Sequence, residues 1–315
     1  MSNQKIKLMT ARDLQRMKIP PINWAVKDLI PEGLTLLAGR PKVGKSFIVL
    51  DLALSITNEY KFLDKFDCTP GKVLFIPYED NTRRMQSRIN ELLDWEIAPE
   101  GLLFPSELNF PKLDRGGVDN IRRIIKDDPD IRMVVIDTFG TAISSGFNSF
   151  GTSFKEDYDF LSHLQQLSLE FQISIVLIHH TRKLPSENVF DEIVGTTGVT
   201  ASPDTLMLIK KHGDKTLLHI TGRDIEEDTF EIKFDKETFK WELIAEGVTY
   251  AGTAERQAIV DLFEGDYDKE FQIKDIAEQI GKSRLAISQL IRKMKLSGEI
   301  SEGSGYGFYK LPVHN

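Results

Sequence analysis

The sequence predicts an α/β fold, a mostly parallel sheet extended by antiparallel strands, followed by a small second domain built around short helices. Three observations carry this. Apolar runs alternate with helical patterns from Leu34 to Ile178, the order that builds parallel strands joined by crossovers. Most of these runs close on glycine or polar residues, and ligands of such sheets gather at the carboxyl ends of the strands. From Asp204 the pattern changes to consecutive short strands with turns between them, which predicts antiparallel additions.

Size and composition set the bounds. The 315 residues, 41% of them hydrophobic, allow one large domain and one small one. A net charge of −8 excludes a whole-surface affinity for DNA or anionic membrane and leaves a local basic patch or a ring lumen. The single cysteine, Cys68, excludes an internal disulfide and fits a reducing compartment; its setting, Phe66-Asp67-Cys68-Thr69-Pro70, reads as a connecting loop rather than a nucleophile site. Met1 to Arg16 lacks a signal-peptide pattern, and no stretch approaches the roughly 18 apolar residues of a membrane span, so a cytoplasmic protein is expected.

In chain order, residues 1–32 form a lead-in, with a helical pattern around Leu8 to Met17, the Pro20-Pro21 break, and Trp24 as a core anchor or, alternatively, the flank of a nucleotide base. The strand Leu34 to Ala38 then meets Gly39-Arg40-Pro41-Lys42-Val43-Gly44-Lys45-Ser46, which fits G-x-x-x-x-G-K-[ST], and the helix from Phe47 follows. Backbone N–H groups turned inward at a helix N-terminus meet the charge of a nucleoside triphosphate. Gly39 and Gly44 permit the turns, Lys45 reaches the β and γ phosphates, Ser46 offers a hydroxyl to Mg²⁺, and Arg40 and Lys42 read as solvated charges. ATP and Mg²⁺ are the cofactors this implies, held by Gly39 to Phe47.

The strand Val73 to Ile76 ends in Pro77-Tyr78-Glu79-Asp80-Asn81 and leads to a helix from Arg83 to Trp95. A short strand at Leu102 to Phe104, a helix at Val118 to Lys126 and the strand Met133 to Asp137 come next. Gly140 to Ser153 reads as a mobile loop, Phe154 to Phe171 as a helix, and Ile173 to Ile178 as a strand closing on His179-His180-Thr181-Arg182-Lys183. Asp137, ending its strand, suits a water on Mg²⁺ if the strand order sets it beside the phosphate loop. Glu79 is the candidate for orienting the attacking water, with Asp80 its competitor. His180 is read as a γ-phosphate sensor, with a packed histidine as the alternative. Arg182 and Lys183 suit a phosphate backbone. Arg223 in Thr221-Gly222-Arg223-Asp224 is a candidate finger for a neighbouring subunit; Lys210 and Lys211 are rivals, and pairing with Asp224 or another acid is the alternative.

These motifs, with Gly195-Thr196-Thr197-Gly198 and Asp204, occur in an order that resembles RecA-like ring ATPases. Within them the RepA-type replicative helicases of plasmids and phages, relatives of DnaB, are the nearest likeness, over roughly residues 20–245. The resemblance implies a RecA-like core in a hexamer around single-stranded DNA, with Glu79 as catalytic glutamate, Asp137 on Mg²⁺, His180 as sensor and Arg223 as finger. An ATP-gated DNA-binding or adaptor protein is the alternative. A metabolic kinase has no task for the finger candidate or for a further DNA-type domain.

The segment 253–315 is such a domain, beyond the ATPase region 33–246 and a linker near Gly247 to Gly252. Phe271 to Ile280, the turn at Gly281-Lys282-Ser283 and Arg284 to Leu296 read as helix-turn-helix, and Glu299 to Leu311 as a wing. It resembles a winged helix. From Lys282 to Lys295 the charged residues are Lys282, Arg284, Arg292, Lys293 and Lys295, all basic. With Ser283, Ser288 and Gln289 they suit duplex DNA; protein docking is the alternative.

Overall fold

The computed structural model describes residues 8–144, 154–181, 188–194, 197–212, 215–248, 254–263, 269–296, 300–305 and 307–311. In chain order these form α1 (Ala11–Arg16), β1 (Trp24–Val26), β2 (Ile30–Pro31), β3 (Gly33–Gly39), α2 (Lys45–Thr57), β4 (Lys72–Pro77), α3 (Thr82–Leu92), β5 (Leu102–Leu103), α4 (Gly117–Asp127), β6 (Ile131–Asp137), α5 (Phe139–Ala142), α6 (Phe154–Phe171) and β7 (Ser174–His180). Then come α7 (Thr197–Ala201), β8 (Thr205–His212), β9 (Lys215–Gly222), β10 (Asp228–Phe234) and β11 (Trp241–Ala245).

One nine-stranded sheet has the order β11-β10-β9-β8-β3-β7-β6-β4-β5. Alternation along β3 explains its two buried faces. Leu37 points into the layer that holds α2, with Val49, Leu50 and Ala53, while Leu34, Leu36 and Ala38 join Ile121, Ile125, Leu161 and Leu164 of α4 and α6 on the other side. Each fully buried Leu or Ile of this kind contributes about 1.5–3 kcal/mol.

One expectation about strand placement is corrected. β8 does not extend the sheet antiparallel; it runs parallel to β3, with Thr35 opposite Thr205 and Gly39 opposite Ile209, and only β9 to β11 are antiparallel additions. β6, the strand of Asp137, is separated from β3 by β7, which pairs with both. The start of the expected loop at Gly140 is instead helical, in α5, and residues 145–153 lie outside the described residues. Trp24 pairs with Pro31 at the amino edge of the sheet, away from the phosphate loop, and is half-buried there.

The remaining residues form their own apolar cluster from α8 (Ala254–Phe263), α9 (Ile273–Ile280) and α10 (Arg284–Leu296), with a small sheet of β12 (Phe271–Gln272), β13 (Ser301–Glu302) and β14 (Phe308–Lys310). Gly281 ends α9 in the left-handed conformation at φ 70, which favours glycine, and so permits the turn into α10. Among the described residues no helix is long and apolar enough to cross a membrane.

Candidate functional site

The site assembles at the carboxyl ends of β3, β4, β6 and β7. Between β3 and α2 the chain turns through Lys42 at φ 63 and Gly44 at φ 101, and a Cβ on Gly44 would lie 2.7 Å from the Trp241 ring. Trp241 donates from its indole nitrogen to the Gly44 carbonyl at 3.3 Å, so β11 braces the loop from 197 positions away. No local pattern could have announced that contact. Arg40 and Lys42 are exposed, Ser46 and Phe47 half-buried, and Lys45 buried.

Lys45 is the hub. Its Nζ donates to the carbonyls of Gly39 at 2.9 Å and Arg40 at 3.0 Å and lies 3.3 Å from His180 Nδ1. Burial lowers its pKa, and the charges of Asp137 and Glu79 oppose that shift. The other nitrogen of His180 lies 3.6 Å from Glu79 Oε1, which also accepts from Thr138 Oγ1 at 2.5 Å. Lys45, His180, Glu79 and Thr138 therefore form one connected chain of polar contacts. Thr138, next to Asp137, was not singled out from the sequence, though its adjacency to the strand-end acid was the available signal.

The competing acids at the end of β4 separate clearly. Asp80 is held by Arg84 Nε at 3.0 Å and by Arg88, and its carboxylate is buried under them. Glu79 faces Thr138 and His180 instead. The arginines stand four and eight places after Asp80, a helical spacing that the sequence contained.

Asp137 is 2% exposed, and its Oδ1 is buried without a hydrogen-bond partner. Burial pushes its pKa up to about 6, the Ser46 hydroxyl's hydrogen bond lowers it, and Asp80 and Glu79 raise it further. A bare buried carboxylate oxygen beside a serine hydroxyl fits a hard divalent cation, which takes oxygen ligands. Ser46 and Asp137 are thus brought together even though β7 separates their strands. His179, by contrast, points into the fold. Its Nε2 contacts the Val194 carbonyl at 2.8 Å and its ring packs edge-on to Phe139, so His180 is the histidine of the pair at the site.

Arg223 lies at the opposite edge of the sheet. Its backbone N–H donates to Asp204 and its Nη1 contacts Asp204 Oδ1 at 2.9 Å, so its partner is Asp204 and not its neighbour Asp224. β8 and β3 run parallel between that point and the loop, a distance of about 20 Å at 3.3 Å per residue, out of reach of this chain's own phosphate loop. Lys210, a rival, is engaged by the buried Glu192 at 2.6 Å, and Lys211 lines a cleft beside Lys42.

Of the residues expected to meet nucleic acid, Arg182 and Lys183 lie outside the described residues. Lys282, Arg284, Ser288 and Arg292 are exposed, and the last three recur every fourth residue along a flank of α10, about a quarter-turn from the buried Ile287, Ile291 and Met294. Lys293 belongs to α10, but its side chain is outside the described residues. Ser283 accepts from the Ala286 N–H at 3.3 Å, which makes its hydroxyl a helix cap.

No curated protein matches the chain. Among solved structures the crystal structure of the RadB recombinase is similar, with a TM-score of 0.49 and 15% identity, over 69% of this chain and 93% of that one. The family model described as AAA domain matches residues 2–186, more than half of the sequence, a span that includes Lys45, Ser46, Glu79, Asp137, Thr138 and His180. The chain belongs to this AAA domain family of P-loop ATPases.

Proposed function

We propose that the protein is an ATP-hydrolysing, RepA-like hexameric motor that moves along single-stranded DNA during replication of a plasmid, phage or mobile element. The observation that carries the hydrolytic part is the chain of contacts from Lys45 through His180 to Glu79 and Thr138, beside the bare oxygen of Asp137. Simple nucleotide binding needs the loop but has no use for a carboxylate held ready next to it.

In this reading the backbone of Gly39 to Phe47 cradles the phosphates, and Lys45 exchanges its carbonyl contacts for phosphate oxygens. Ser46 and Asp137 would hold Mg²⁺, which would supply neutralisation of the phosphate charge. Glu79 orients the attacking water and accepts its proton, and Thr138 fixes the carboxylate that does so. His180, touching both Lys45 and Glu79, reports the state of the γ-phosphate to the loop that begins at Arg182. Arg223 acts on the site of a neighbouring copy, since its own is out of reach. Arg182 and Lys183 are assigned to the phosphates of the DNA strand. The last 63 residues, 253–315, act as a winged helix-turn-helix that offers Lys282, Arg284, Ser288, Arg292 and Lys293 to duplex DNA.

A second reading, an ATP-switched DNA-binding or adaptor protein, is favoured by the −8 net charge together with the basic face of α10. One experiment separates the two. ATP hydrolysis is measured with no DNA, with single-stranded DNA and with duplex, with Glu79→Gln as the blank. Stimulation by single strands supports the motor. Stimulation by duplex alone moves the function to the adaptor, and no turnover above the blank removes the ATPase role.

A further inference from the structure

One contact at the site comes from outside the stretch that the family match covers. Trp241, the first residue of β11, lies beyond residues 2–186 and is 3% exposed, with its indole on the phosphate loop. The loop needs such support. Lys42 sits in the left-handed region at φ 63, which is uncommon for a residue with a Cβ, and Gly44 follows at φ 101. Backbone of this kind persists where its surroundings over-determine it. The first N–H groups of α2 have no partner within the helix, and turning them toward one point sets like dipole ends side by side.

Trp241 acts on the peptide at the centre of this turn. Its indole N–H donates to the Gly44 carbonyl at 3.3 Å, and the Ile48 N–H donates to the same oxygen at 3.1 Å. In a trans peptide the carbonyl and the following N–H point in opposite directions, so fixing the Gly44 carbonyl aims the Lys45 N–H at the mouth of the loop. The ring packs so close that a Cβ on Gly44 would lie 2.7 Å from it, which bars the loop from shifting toward β11.

The hairpin that carries Trp241 is stiff. Trp241 pairs with Phe234 across β11 and β10, with the ring centroids 5.3 Å apart. Phe234 and Phe239 in turn pack on Phe47 of α2, at 5.5 and 5.6 Å. Asp235 ties the turn between the strands: its carboxylate accepts from the Glu237 N–H at 2.8 Å and from Thr238 Oγ1 at 2.9 Å, and its own N–H donates to the Lys240 carbonyl at 2.9 Å. The hairpin therefore grips the start of α2 at two points, Gly44 and Phe47.

We propose that the β10–β11 hairpin is a clamp that presets the phosphate loop for a nucleotide, and that Trp241 is its positioning residue. Trp241 acts through Gly44 and not by touching phosphate. The clamp rests on the reading of Gly39 to Phe47 as a phosphate cradle and deepens it, because part of the affinity for nucleotide is then set by strands outside the matched domain.

Calorimetry with ADP and Mg²⁺ on the full chain tests it, with urea unfolding and ATP turnover on the same samples. Trp241→Phe keeps a ring and loses the indole N–H; it should weaken ADP binding about threefold to tenfold, the loss of one modest hydrogen bond. KM for ATP should rise by a similar factor with kcat within about twofold of wild type, as expected for a contact that shapes binding and not the chemical step. A second variant isolates the N–H. In a chain carrying Trp24→Phe and Trp95→Phe, residue 241 is replaced by benzothienylalanine, which keeps the two-ring shape without the donor, and binding should again weaken about threefold to tenfold. Phe230→Leu, a packing loss on the same hairpin where the ring meets Phe66, should lower fold stability while leaving ADP affinity within about twofold. ADP binding at wild-type strength in both Trp241 variants overturns the clamp and leaves the ATPase reading intact. Equal weakening by Phe230→Leu also overturns it, since the effect is then a general loosening. A wild type that binds ADP but turns over no ATP removes the ATPase reading, and the Trp241 variants still decide the clamp; a wild type that binds no nucleotide overturns both.

Discussion

Two aspartates stand at opposite ends of the sheet, and they are satisfied in opposite ways. Asp204, at the amino edge, accepts from the Leu34 N–H at 2.9 Å, from Gln165 at 2.6 Å and from Arg223 at 2.9 Å. A Cβ on Gly33 would lie 2.6 Å from its Oδ2, so glycine leaves room for it. Asp137, at the carboxyl edge, keeps one buried oxygen without a partner. A fold that satisfies one partly buried carboxylate three times over and leaves the fully buried one bare has spent stability at the second. That imbalance marks the carboxyl edge as the place where a ligand completes the structure.

The comparison can be broken most severely at Lys45. Lys45→Ala should reduce ATP turnover by about 10³-fold or more and remove nucleotide binding, read by phosphate release and calorimetry. Binding at wild-type affinity would mean that the carboxyl edge is not the ligand's edge. Arg223→Ala comes next, with an expected loss of about 10³ in turnover and unchanged affinity for nucleotide. An unaltered rate would confine Arg223 to Asp204 and make the amino edge purely structural. Glu79→Gln should cost about 10²-fold in hydrolysis while retaining binding. Equal damage from Asp80→Asn would contradict the division between a poised Glu79 and an Asp80 clamped by Arg84 and Arg88.

What was legible in the sequence was local. The phosphate loop, its strand and helix, and the strand-end Asp137 sit within a few residues of one another or at the ends of clear apolar runs. The wiring between them was not, because it depends on strand order. β7 enters between β3 and β6, and β8 returns parallel to β3 after a crossover whose described helix, α7, has only five residues. So short a helix leaves no period in the sequence, and for that reason β8 reads as one more antiparallel strand. The sequence favours Glu79 with Asp80 as its close competitor, and the placement of Arg84 and Arg88 on Asp80 separates the two. The brace from Trp241 to Gly44 and the Asp204 junction join residues that no window of sequence spans. Arg223 stood out as an arginine at a strand end, but its partner was legible only as some nearby acid.

The smallest expected effect bears most directly on the two aspartates, and its sign differs between them. Burial holds the folded-state pKa of Asp137 at about 6 against an ordinary 3.8. A raised carboxyl pKa favours the protonated form in the fold. Its contribution is therefore fully present below about pH 4 and is lost as pH rises through about 6. At pH 7.5 the charged, bare carboxylate is a net cost, and Asp137→Asn should raise the unfolding free energy of the ligand-free chain by about 1–3 kcal/mol. That gain should shrink at pH 4, and Mg²⁺ with a non-hydrolysable ATP analogue should stabilise wild type more than the variant. Asp204→Asn should do the reverse at pH 7.5, lowering stability by about 1–2 kcal/mol, since it weakens contacts already made while Arg223 stays half in water. Thermal or urea unfolding of both variants decides the matter. If the two substitutions shift stability in the same direction, the buried oxygen of Asp137 carries no penalty in the ligand-free chain, and the case for a cation at that edge loses its physical basis.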